Sequence, residues 1–122
     1  MTVRQAIARL QALKPHQYTD ETAAGWLSDL DGRLYANYCQ GHEGMENRAH
    51  GPYTAEADSA ELMVEEPYTD LYIRYMAAQV DYHNAEFARY NNSMVMYNML
   101  LAEYANWINR THMPAQRAAL KL

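Results

Sequence analysis

Between Pro67 and Pro114 the positions Ile73, Met76, Val80, His83, Phe87, Tyr90, Met94, Tyr97, Leu101, Tyr104 and Ile108 follow one another in alternating steps of three and four. Neither glycine nor proline interrupts the run. This is the spacing of a helical seam, since a strand would alternate at every second residue. Unbroken, about 45 residues would reach about 65 Å, more than a domain of this size can cover. The pattern therefore favours a hairpin of helices over about 67–84 and 86–111, with Asn84-Ala85 or Asn91-Asn92-Ser93 at the turn; one long bent helix is the alternative. Pro67 suits the first turn of the earlier helix.

Upstream the same period appears twice more. Thr2 with Gln5 has the form of a capping box, and Val3, Ile7, Leu10 and Leu13 then repeat at helical spacing, giving a first helix over about 2–13 that ends before Pro15. Thr19 can cap a second helix over about 19–38, with Asp20 and Glu21 at its positive end and Trp26, Leu27, Leu30, Leu34 and Tyr38 on its buried face. Gly32 weakens that helix without ending it. Periodicity is lost over the loop 40–60, which is rich in glycine; a loop of this length is a second place to look for a contact surface. Residues 61–64 suit a short β element, paired near Tyr53 or with another subunit, inside an acidic surround of Glu56, Asp58, Glu61, Glu65 and Glu66. The expected architecture is an all-α four-helix bundle forming a single domain over 1–114. Residues 115–122, with Arg117 and Lys121, form a flexible basic tail or an arm that reaches a neighbour.

Composition narrows the chemistry. The chain has 122 residues and a net charge of −5, which argues against a surface devoted to gripping nucleic acid. No apolar run is long enough to span a membrane, and the N-terminus does not read as a signal peptide, so a cytoplasmic protein is expected. Cys39 is the only cysteine, so neither an intrachain disulfide nor a multi-cysteine metal site can form. Asn91 and Asn109 head glycosylation-type triplets, but inside predicted helix. His42, Glu43, Glu46 and His50, with His16 elsewhere, read as solvated surface rather than as metal ligands, and no Glu-x-x-His occurs. Phosphate-cradling and nucleophile motifs are absent as well, so no enzyme activity, cofactor or metal is expected.

The predicted third helix carries two apolar faces. Tyr72, Ile73, Met76, Val80, His83 and Phe87 form one, and Leu71, Tyr75, Ala78 and Tyr82 the other, with Asp70, Arg74, Asp81 and Asn84 in a polar stripe between them. The tyrosine-rich face is read as a partner interface through Leu71, Tyr75 and Tyr82, joined by Arg117 and Lys121 of the tail. The alternative is that the first two helices cover both faces.

The stretch Pro67 to Tyr75, together with Asp81 to Glu86, Arg89 to Met94, Asn109 to Pro114, Leu13-Lys14-Pro15 and Trp26 to Arg33, resembles small prophage-encoded virion structural proteins of Firmicutes. In the order of its elements that group is similar to head-tail connector (adaptor, head-completion) proteins of tailed phages. The resemblance implies a structural component made in the host cytoplasm and built into the virion neck. Copies would form a ring under the portal through head-to-tail contacts, touching portal and tail-side proteins, while DNA passes without specific binding. The other function carried forward is a small prophage DNA-binding or regulatory helical protein.

Overall fold

The computed structural model describes residues 1–114. Among them are four α-helices: α1 (Val3–Leu13), α2 (Asp20–Leu34), α3 (Asp70–His83) and α4 (Phe87–Thr111). The domain is all-α and contains no strand among the described residues. Helix α1 opens on the capping box, in which the Thr2 side chain accepts from the Gln5 N–H at 3.1 Å and the Gln5 side chain accepts from the Thr2 N–H at 2.9 Å. Val3, Ala6 and Leu10 are its buried stripe, while Leu13 is half exposed. Thr19 caps α2 by accepting from Thr22, as its position predicts. This helix does not run on as α-helix to residue 38. It loosens into a π-helical turn, Tyr35–Cys39, closed by the Gln40 N–H on the Tyr35 carbonyl, and that turn buries Cys39 in the core.

Helix α3 is the centre of the domain. It packs against α1, α2 and α4, and nine of its fourteen residues are buried. Leu71, Tyr75 and Ala78 are among them, so the interface assignment of Leu71 and Tyr75 is overturned; the cover lies within the chain, but it comes from α4 as well as α2 rather than from the first two helices alone. Tyr75 lies against Tyr97 of α4 and its hydroxyl accepts a hydrogen bond from Arg33 of α2, which covers the face from both sides. Pro67 is not in the first turn: the chain turns over Glu65 to Tyr68, and α3 begins at Asp70.

The long seam does fold back as a hairpin, and Asn84-Ala85 supplies the turn. The Glu86 N–H bonds to the Asp81 carbonyl and the Ala85 N–H to the Tyr82 carbonyl, a Schellman closure. Ala85 (φ 59°) takes the left-handed position that glycine usually fills. The phase of the seam puts His83 and Phe87 on the core side, yet both flank this turn and are exposed, because the core ends where the helices part. Asp81, placed in the polar stripe by its spacing, is fully buried. Its carboxylate accepts from Lys14 Nζ (2.6 Å) and from Ser93 Oγ (3.0 Å), fastening the end of α3 to α1 and α4.

Residues 61–64 form no strand, and the chain bends at Met63 and Val64. Glu61 makes a single antiparallel bridge with Thr2, and the Leu62 N–H bonds to the Met1 carbonyl, so the partner is the N-terminal segment rather than Tyr53 or another subunit. The loop 40–60 is fastened as well. Met45 and Tyr53 are buried, the Tyr35 hydroxyl donates to the Glu46 carbonyl at 2.6 Å, and Arg48 forms a two-pronged pair with Glu65.

Candidate interaction surface

What holds the loop also fixes α3. Asp31, on the buried side of α2, accepts from the Tyr53 hydroxyl (2.6 Å), the Tyr72 hydroxyl (2.7 Å) and the Met63 N–H (3.0 Å). The Tyr72 oxygen in turn accepts from the Val64 N–H. Burial pushes the Asp31 carboxyl above the usual aspartate range, while these three hydrogen bonds pull the other way. The network is closed, and its donors come from the loop, the segment 61–64 and α3. Its chemistry is that of a structural clamp, since every group in it already has a partner.

The loop histidines are engaged in the same fashion. His42 lies with Nδ1 against the Tyr38 carbonyl and Nε2 against Asn109 Oδ1 (3.0 Å), and His50 stacks on Tyr35. His16 Nδ1 accepts from the Tyr18 N–H. The described residues hold no group of three histidine, cysteine or acidic side chains able to share a metal ion. Cys39 is buried, and burial pushes its thiol up to about 11, which keeps it protonated and unreactive at neutral pH. No described helix is long and apolar enough to cross a membrane.

Among the described residues, two surfaces with exposed large hydrophobic side chains stand out. The first is the aromatic end of the bundle around the hairpin turn. Tyr82 and Phe87 stand out from it, 52% and 57% exposed, with Tyr82 edge-on to Phe87 and tilted against Tyr90. Behind them His83 stacks on Trp26, and Tyr18 lies against both. The Tyr18 hydroxyl donates to Asn84 Oδ1 at 2.6 Å, which ties the connector between α1 and α2 to the turn. The rings are thus held on a rigid frame. Of the sequence-predicted interface residues, Tyr82 is the one the structure leaves accessible; Arg117 and Lys121 lie outside the described residues.

The second surface is the outer side of α4. Only Tyr97, Tyr104 and Ile108 of this helix are buried, whereas Val95 and Met99 are 59% and 64% exposed. At about 100° per residue, Ala88, Asn92, Val95, Met99, Ala102 and Asn106 fall in one line on the side opposite the core. All six are exposed. They form a second seam, again in steps of three and four, and from Tyr90 to Ala102 the sequence holds no charged residue. An ordinary solvated helix face carries lysine and glutamate there. Both signs are legible in the sequence, on the side of the helix opposite the first seam.

No family model, curated protein or solved structure matches the chain.

Proposed function

We propose that this protein is a non-enzymatic assembly protein that works by docking. On the resemblance of its sequence to prophage virion proteins, the assembly is the neck of a tailed phage, where copies sit as a ring beneath the portal. The observation that carries the docking reading is the aromatic end of the bundle, where Tyr82 and Phe87 project from a turn braced by Asn84, Tyr18 and Trp26. Exposed aromatic rings on a stiff support lose little freedom on binding and supply the anchors that dominate protein contacts. In this reading the chain is made in the host cytoplasm, ends in the virion neck, and lets DNA pass without binding it specifically.

The test is copurification with the portal protein encoded in the same prophage. Tyr82→Ala combined with Phe87→Ala is expected to weaken capture by the portal at least about a hundredfold while leaving helicity unchanged, because two exposed anchors are removed and no core is touched. Capture at wild-type strength by the double variant speaks against this surface. Tight binding to duplex DNA with a steep salt dependence would instead favour the regulatory alternative.

A further inference from the structure

We propose that the outer seam of α4 is a contact between two copies of this chain, with the two helices antiparallel about a two-fold axis level with residue 97. The occupant follows from the symmetry of the seam and from its charged flank. About residue 97 the seam maps onto itself: Val95 meets Met99 of the partner subunit, Asn92 meets the partner's Ala102, and Ala88 meets the partner's Asn106. Each large side chain then faces a smaller or a flexible one, which lets the backbones approach closely.

Charge fixes the direction. The seam is neutral, but Arg89 and Glu103 stand on one flank of it, near opposite ends, and both are exposed. In an antiparallel pair this flank faces the same flank of the other copy. Arg89 then reaches the partner's Glu103, and the reverse, with an offset of about 3 Å along the axis. A parallel pair would set the flank against Asn91, Asn98 and Ala105 of the partner subunit, with no charge to meet. Arg89 does have a neighbour within its own chain, Glu86 at 3.5 Å, but that pair is exposed and long and yields readily. The asparagines lower the contact's strength and set its register, as polar seam residues do in paired helices.

This inference does not rest on the phage assignment. A two-fold contact closes on two copies, so growth of a ring would use another surface, and Tyr82 on α3 lies off the seam.

Sedimentation velocity on the full chain tests it. Wild type is expected to dimerise, and Val95→Asp with Met99→Asp to raise the dissociation constant at least about a hundredfold. Circular dichroism should be unchanged, since both positions are solvent-facing. Glu103→Arg is expected to weaken the dimer about tenfold by placing Arg89 against a second arginine, and Arg89→Glu added to Glu103→Arg restores it. A chain that stays monomeric to about 1 mM overturns the proposal, as does a dimer that ignores the seam variants. A dimer lost with the seam but indifferent to both charge variants overturns the antiparallel arrangement. Because Tyr82 and Phe87 are unchanged in these variants, failure here and failure of portal capture are separate results.

Discussion

Helices α3 and α4 come from one uninterrupted stretch of sequence with one seam, yet α3 is enclosed on nearly every side and α4 is enclosed on one. Both carry a second line beside the core-facing one, apolar in α3 and uncharged in α4. In α3 the second line, Leu71, Tyr75 and Ala78, is buried within the chain, Tyr75 between Arg33 of α2 and Tyr97 of α4. In α4 the second line has no element of the chain against it among the described residues. A second such line on a helix therefore marks either the centre of a bundle or a surface awaiting a partner. What separates the cases is where the helix stands in the packing order, which no local pattern records.

The largest effect should come from treating the two second lines alike. Tyr75→Ala is expected to cost about 3–5 kcal/mol, as truncation of a buried ring does. Val95→Ala should fall within about 0.5 kcal/mol of wild type when measured on dilute protein. Urea denaturation of the two variants side by side checks the contrast, and similar losses would erase the distinction drawn between the helices.

A smaller effect concerns the clamp on α3. Asp31 holds its proton more tightly folded than unfolded, because burial outweighs its hydrogen bonds. Stability relative to Asp31→Asn should fall as pH rises from the ordinary aspartate range to the raised native value, by up to about 1.4 kcal/mol per pH unit, and be flat above it. Denaturation midpoints of both proteins across acid and neutral pH report this. A difference that grows with pH would mean the carboxylate is favoured by folding.

The smallest lies at the turn between the helices. Ala85→Gly should stabilise by about 0.5–1 kcal/mol, since glycine adopts the left-handed conformation there without a Cβ penalty, less its greater freedom when unfolded. Thermal denaturation is sensitive enough to detect it. A loss of stability would point to packing by the Ala85 methyl group.

The parts of the fold visible in the sequence were those written within a few residues of one another. The caps at Thr2 and Thr19, the end of α1 before Pro15 and the turn at Asn84-Ala85, one of two sites the sequence offers for it, all depend on neighbours in the chain. Asp31, Asp81 and the segment 61–64 do not. Asp31 is buried because Tyr53, Met63 and Tyr72 converge on it from distant positions, and Asp81 because Lys14 and Ser93 do. By spacing alone a carboxylate beside a helix seam reads as solvent-facing. His83 and Phe87 kept the phase of the seam while the chain reversed between them, so an unbroken count concealed the end of the core. Of the predicted interface residues that the structure describes, Tyr82 alone is exposed, and the α4 seam was legible but lay on the side of the helix that the first seam did not use.

Helix α4 is secured along its length, in its first half by Ser93 on Asp81 and at its close by Asn109 on His42, with the Glu43 N–H on the Met113 carbonyl just beyond. A rod of about 37 Å fixed in this manner has little room to swing or unwind. Its encounter with a partner should accordingly be a collision of preformed surfaces, with an association rate in the range of about 10⁵–10⁷ M⁻¹s⁻¹ that rises in proportion to concentration and shows no plateau from a preceding rearrangement.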